Sequence, residues 1–166
     1  MYDMKALYEA YTVEEAVRLR LEHPEAQIIA GGTDVLVQMR EGRRAGKELI
    51  SIQKIDSMRG VSMDEDENIR IGSLTTFSHI THNPIIMEKI NVLGEAVDMV
   101  GGPQIRNAGT IGGNTCNGGA HLIAPYLVAL LIVGGQEYYD GVRVLGLYQL
   151  AQLKTVPIWQ VNVQQH

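Results

Sequence analysis

Two glycine segments carry the clearest chemical potential in this 166-residue chain. The first is Ile28-Ile29-Ala30-Gly31-Gly32-Thr33-Asp34. An apolar run enters two glycines and then reaches residues able to cap a helix. Glycine lets a backbone approach a ligand with no Cβ in the way, and backbone N–H groups in such a turn, with a helix start behind them, suit an anion such as a pyrophosphate. Asp34 fits that role only if its carboxylate turns away to cap the helix. The second segment is Gly109-Thr110-Ile111-Gly112-Gly113-Asn114, where paired glycines stand beside hydroxyl and amide side chains that can donate to phosphate oxygens. Arg106 is the one positive charge near it.

Either segment alone is more often a plain turn. Neither follows G-x-G-x-x-G, and no G-x-x-x-x-G-K-[ST] occurs. Usual nicotinamide or nucleoside-triphosphate sites are therefore not supported. Other reactive residues read as inert. Cys116 is the only cysteine, which excludes an internal disulfide and a cysteine-only metal site. A lone cysteine beside a glycine loop is expected to be unreactive. His79 and His82 have helical spacing without a neighbouring acid and are expected to be exposed or capping, not metal ligands. Asp64-Glu65-Asp66-Glu67 reads as a solvated hairpin turn. No residue reads as a substrate-binding or acid–base catalyst.

Elements must hold these segments in place. Thr12-Val13-Glu14-Glu15 is a capping box, and Val13, Ala16, Val17 and Leu21 recur at helical spacing up to Pro24. Gln27 to Ala30 reads as a buried strand. A second helix runs to about Arg40, Glu48 to Ser51 is a strand, and a helical turn covers Lys54 to Met58. Val61 to Met63 and Asn68 to Ser73 form a hairpin. Thr75 or Thr76 caps a short helix, Pro84 starts another, and Leu93, Ala96, Val97 and Val100 form an amphipathic stretch stopped by Gly101-Gly102-Pro103. Gly109 to Gly119 reads as a glycine-rich loop. Beyond it come an apolar stretch from Pro125 to Val133, a turn at Tyr138 to Gly141 and a strand at Val142 to Leu147.

The formal net charge of -5 argues against non-specific nucleic-acid binding. The apolar stretch from Leu122 to Val133 contains Pro125 and falls short of the roughly 20 residues a membrane helix needs. The N-terminus lacks the pattern of a signal peptide, so a cytoplasmic protein is expected. Beyond Gly119 only Glu137, Asp140, Arg143 and Lys154 are charged, which suits a buried or oligomer-facing tail, or a chain altered in that region.

The two segments together, in this order, resemble the FAD-binding subunit of molybdenum hydroxylases: xanthine dehydrogenase, nicotinate dehydrogenase and aerobic carbon monoxide dehydrogenase. The resemblance covers about residues 1–118. Ala30-Gly31-Gly32-Thr33-Asp34 matches a first pyrophosphate loop and Ile71-Gly72-Ser73-Leu74-Thr75-Thr76 a middle strand and turn. Gly102-Pro103-Gln104-Ile105-Arg106-Asn107 leads into Thr110-Ile111-Gly112-Gly113-Asn114, the most specific match.

The resemblance implies an α+β, two-lobed, vanillyl-alcohol-oxidase (PCMH)-type FAD-binding domain with the pyrophosphate held between the glycine loops. The implied lobes are residues 1–55, a small βαβ lobe with the first loop, and 56–150, a second α+β lobe, followed by an unmatched tail at 151–166. Ile29, Ala30, Gly31, Gly32, Thr33 and Asp34, with Gly109, Thr110, Ile111, Gly112, Gly113 and Asn114, would contact FAD. The implied partners are a molybdopterin-binding subunit and a 2Fe-2S subunit, with NAD as electron acceptor. The family's C-terminal domain, which helps cover the flavin ring, is not matched, so weak or incomplete FAD binding by this chain is expected. Gly118-Gly119-Ala120-His121-Leu122-Ile123 stands where relatives carry small residues and an aspartate. That departure favours an alternative, a truncated non-catalytic remnant that binds partner subunits and little flavin. A flavin enzyme of similar fold without molybdenum partners is disfavoured by the Gly-Pro-Gln-Ile-Arg-Asn approach to the second loop.

Overall fold

The computed structural model describes residues 3–117 and 161–163. The chain divides into two compact units, one ending at Arg59 and one beginning at Gly60. The apolar stretch from Pro125 to Val133, the turn expected at Tyr138 to Gly141 and the strand expected at Val142 to Leu147 lie outside the described residues.

In the first unit, β1 (Met4–Glu9), α1 (Val13–Glu22), β2 (Gln27–Ile29), α2 (Val35–Arg40) and β3 (Lys47–Ser51) follow one another. The sheet is parallel, with β3 between β1 and β2. That central place explains why Leu49 and Ile50 are buried. Leu49 packs with Ile29 and Met39, and Val35 and Leu36 of α2 lie against them.

The capping box at α1 forms as expected on one side. The Thr12 hydroxyl accepts the Glu15 N–H at 3.1 Å, while the Glu15 carboxylate reaches one residue further back, to the Tyr11 N–H at 2.9 Å. The expected apolar stripe is corrected. No α1 residue is fully buried, and Val17 and Leu21 are 51% and 77% exposed. The covered side runs instead through Val13, Ala16, Leu19 and His23, a helical spacing that ends where His23 stacks on Tyr8 of β1, ring centroids 4.0 Å apart. Glu48 joins this corner, 2.8 Å from Lys5 and 3.2 Å from His23. The Lys5 ammonium, hydrogen-bonded to it, holds the Glu48 carboxyl below its ordinary pKa.

In the second unit, β4 (Val61–Met63) and β5 (Ile69–Ile71) form the expected antiparallel hairpin, preceded in the chain by a 3-10 turn at Asp56–Met58. Ile69 and Ile71 are buried and Arg70 between them is exposed, the two-residue period of a sheet with one covered face. A third strand, β6 (Val161–Val163), pairs antiparallel with β5. Part of the segment expected to be an unmatched tail thus completes this sheet, and β5 becomes its centre. Helices α3 (Phe77–Thr81), α4 (Pro84–Lys89) and α5 (Asn91–Asp98) surround a core of Ile69, Ile71, Phe77, Ile80, Ile86, Ile90, Ala96, Val97 and Ile111. Asn83 caps α4 by accepting the Ile85 N–H at 3.0 Å, with Pro84 in the first turn where its missing N–H costs nothing. Then come α6 (Pro103–Ala108) and α7 (Ile111–Asn117).

The acidic run is a turn, as expected. Asp64 accepts the N–H groups of Asp66 at 3.1 Å and Asn68 at 2.9 Å, and the Asn68 amide at 3.1 Å. Glu67 carries a positive φ of 61°. These bonds, the Asn68 backbone N–H first, hold the Asp64 carboxyl below its ordinary 3.8. A depressed native pKa contributes stability that is present above the ordinary value and lost as pH falls through the native one. Acidifying from about pH 5 is expected to release amide protection at Asp66 and Asn68 in the natural chain. The variant Asp64→Asn should lack that acid step. Hydrogen exchange followed by NMR decides it, and identical acid responses in both proteins would refute the assignment.

Candidate functional site

The first glycine segment leaves β2 at Ile29, whose carbonyl accepts the Ile52 N–H at 3.0 Å. The chain then turns through Gly31 and Gly32 into α2. Gly32 has φ +74°, and a Cβ there would lie 2.9 Å from Leu36 Cδ1 and 3.2 Å from Ile29 Cδ1. Only glycine fits both the backbone and the space. The Gly32 carbonyl accepts the Leu36 N–H at 3.0 Å. The N–H groups of Gly31, Gly32, Thr33, Asp34 and Val35 and the Thr33 hydroxyl donate to no acceptor among the described residues. All five residues are half-buried. Five consecutive donors in one partly covered turn form a surface suited to an anion.

Asp34 occupies the cap position of α2 but makes no side-chain cap bond, which corrects the capping role expected for it. Its Oδ2 instead accepts the side-chain amide of Gln38 at 2.5 Å, one helical turn on. Gln38 Oε1 accepts from Arg44 Nε, and Arg44 Nη1 donates to Gln27 Oε1 on β2. Gln27 Nε2 donates to the Ile28 carbonyl at 3.0 Å. Little in the local sequence announces this polar chain. Only Asp34 and Gln38 share a legible helical spacing; Arg44 and Gln27 meet through the fold.

The second segment differs in kind. Its glycines suggest a loop, but Ile111–Asn117 is helical, and Gly112 and Gly113 lie in the first turn of α7. Its leading donors are already used within the chain. The Ile111 N–H donates to the Thr75 carbonyl at 3.0 Å and the Gly112 N–H to the Ser73 carbonyl at 2.9 Å. The Gly113 N–H donates to the Thr110 hydroxyl at 3.1 Å. Gly109 contributes its carbonyl to the Phe77 N–H at 3.1 Å, and Thr110, 6% exposed, pairs with Thr76 as an isolated bridge. Gly112 is dictated by this docking, because a Cβ on it would sit 2.7 Å from the Ser73 carbonyl oxygen. The acceptors belong to the turn after β5, which Thr75 ties down by a bond in each direction to Gly60, at 2.9 and 3.0 Å.

The candidate residues 29–34 lie in the first unit and 109–114 in the second. Arg106 does not extend toward the second segment. Its guanidinium bonds the Gly101 carbonyl at 2.7 Å and lies 3.2 Å from Asp98. Cys116 is exposed, and desolvation pushes its thiol pKa up, the opposite of an activated nucleophile. His79 is exposed, and His82 ends α3 with Nδ1 2.7 Å from the Ser78 carbonyl, the exposed and capping roles expected. Among the described residues no three His, Cys, Asp or Glu side chains gather as a metal site, and no helix is long and apolar enough to cross a membrane.

Comparison with known proteins adds a second kind of observation. A family profile described as the FAD binding domain in molybdopterin dehydrogenase matches residues 2–142. The chain is 38% identical over 118 residues to the putative xanthine dehydrogenase FAD-binding subunit of Escherichia coli (strain K12), covering 71% of this chain and 40% of that protein. It is 38% identical over 105 residues to the nicotinate dehydrogenase FAD-subunit of Eubacterium barkeri, covering 62% of this chain and 35% of that one. Among solved structures it is similar to carbon monoxide dehydrogenase from Hydrogenophaga pseudoflava lacking the Mo-pyranopterin moiety of its molybdenum cofactor. The TM-score is 0.68 and the identity 29%, over 73% of this chain and 43% of the other. The chain thus spans about 40% of the length of the Escherichia coli relative.

The close approach at Gly112 makes a direct prediction. Gly112→Ala must push α7 off the Ser73 carbonyl, and overpacking of this kind costs about 1–3 kcal/mol. Thermal or urea unfolding should show that loss. An unchanged midpoint would mean the second glycine segment is not docked as described.

Proposed function

We propose that this chain, which belongs to the family of FAD-binding domains of molybdopterin dehydrogenases, is the flavin-carrying part of an electron-transfer subunit. FAD is the cofactor of this domain, and its fold is the α+β fold of that family. In the full complex, electrons would arrive from iron–sulfur centres on a 2Fe-2S subunit, after oxidation at a molybdopterin-binding subunit, and leave by way of FAD to NAD. The workplace we propose is the cytoplasm. No nucleic acid or membrane is part of this reading.

One observation carries the proposal beyond family membership. The donor row from Gly31 to Val35 is unpaired within the described chain, and a pyrophosphate is the FAD group whose charge and several acceptor oxygens match it. The residues present therefore fit the cofactor at this segment. Ile29 and Ala30 deliver the turn from β2, Gly32 keeps it open, and Thr33 adds a hydroxyl. Around the second segment we assign Gly109, Thr110, Ile111, Gly112, Gly113 and Asn114 a contact surface made rigid by docking on Ser73 and Thr75. Its leading N–H groups are spent on that docking, so its share of the phosphate recognition is smaller than its sequence suggests. When bound, FAD supplies chemistry that can take electrons singly or in pairs, which suits a relay between iron–sulfur centres and a hydride acceptor. The protein's work is to hold and orient it.

The test is a visible absorption spectrum of the purified chain after incubation with FAD and desalting. Flavin bands are expected to survive desalting. Gly31→Asp should abolish them while circular dichroism stays unchanged, because it places a carboxylate among the donors. Gly32 is the poorer choice, since any side chain there collides with Leu36. A folded but colourless natural chain would overturn the reading and favour a remnant that binds partner subunits without flavin.

A further inference from the structure

A carboxylate next to a row of anion-binding donors is a problem that the structure answers. Aspartate at a helix cap position ordinarily swings its carboxylate back over the free N–H groups of the first turn. At Asp34 that swing would carry a negative charge toward the Leu36 and Val37 N–H groups, beside the donor row that ends at Val35, and against any anionic ligand bound there. The side chain is instead drawn along α2 by Gln38, 2.5 Å away. Gln38 is held by Arg44 through its Oε1 and by a 3.4 Å bond from the Arg44 N–H to the Gln38 carbonyl. Arg44 is anchored in turn on Gln27 of β2. All four side chains are half-buried, so the chain of bonds is shielded from full competition with water.

We propose that Gln38 and Arg44 are positioning residues for the anion-binding segment: the Asp34–Gln38–Arg44–Gln27 chain holds the Asp34 carboxylate clear of the donor row, so that those donors remain open to a phosphate group. Asp34 contributes its backbone N–H to the ligand and its side chain to the restraint. Gln38 serves as the adaptor because its amide offers a donor to the carboxylate and an acceptor to the guanidinium at once. Glutamate would repel Asp34 and leucine could do neither. This inference rests on the flavin reading only for the identity of the ligand.

The experiment compares the natural chain with Gln38→Leu, Asp34→Asn and the double variant, using FAD fluorescence titration and amide NMR shifts. Gln38→Leu releases the carboxylate and should weaken FAD binding about tenfold, the effect of a like charge brought close to the ligand. Asp34→Asn supplies the charge-free reference against which the double variant is read. In the double variant affinity should return to that of Asp34→Asn, because no negative charge is left to restrain. The amide shifts of Gly31 to Val35 should move in Gln38→Leu and revert in the double variant, with or without flavin. A Gln38→Leu chain that binds and resonates like the natural one overturns the proposal. So does a loss that persists in the double variant, which marks a purely structural role. If no protein binds FAD, the flavin reading fails, and the amide shifts decide the positioning role by themselves.

Discussion

A buried N–H must find an acceptor, at a cost of about 1–3 kcal/mol when it does not, and the two glycine segments meet that demand in opposite ways. In the second unit the donors of Ile111, Gly112 and Gly113 are satisfied by Ser73, Thr75 and Thr110. Those bonds seat α7 on the turn after β5. The Gly109 carbonyl, by accepting from Phe77, fixes the start of α3 in the same arrangement. In the first unit the donors from Gly31 to Val35 stay half-exposed. Water can serve them there, so leaving them unpaired by protein costs little. One segment is an anchor, and the other leaves its donors open.

Much of this was legible in the sequence where the signal was local. The caps at Thr12 and Thr76, the acidic turn, the hairpin strands and the stop at Gly101-Gly102-Pro103 depend on neighbours within four or five residues, and each formed. The family was legible too, because its glycine motifs are specific. What escaped depends on distant partners. β1 was missed: Met4–Glu9 mixes Lys5 and Glu9 with apolar residues and becomes a strand by pairing with β3 some forty residues later. The helical state of Ile111–Asn117 was missed because two glycines disfavour a helix by about 1 kcal/mol each, a deficit the docking bonds offset. The apolar stripe of α1 was misplaced because the sheet meets the helix at the Tyr8–His23 stack, leaving Val17 and Leu21 outside.

The candidate site shows the same division more sharply. Gly32 and Gly112 sit in nearly identical strings, each second to a glycine or followed by one, yet glycine is required for different reasons. At Gly32 the backbone is left-handed and two side chains crowd the missing Cβ; at Gly112 the obstacle is the Ser73 main chain. A glycine motif announces that something approaches closely without saying whether it is a ligand or the protein itself. Only the hydrogen-bond accounting separates the cases: the first segment keeps its donors open, and the second spends its leading donors within the chain.

Open donors in a fixed turn bear on how binding energy would arise at the first segment. A donor row already held in shape loses little conformational freedom when an anion arrives, so more of each new bond appears as affinity. The shape is held from two sides. Gly32 packs against Leu36 and Ile29, which belong to the apolar cluster under β2 and β3, while Asp34 is restrained through Gln38 and Arg44 to the same strand, β2. Apolar packing fixes where the donors stand, and the polar chain fixes where the nearest negative charge stands. Each is incomplete alone: a well-placed row covered by its own carboxylate would bind no phosphate, and a restrained carboxylate beside a collapsed turn would guard nothing.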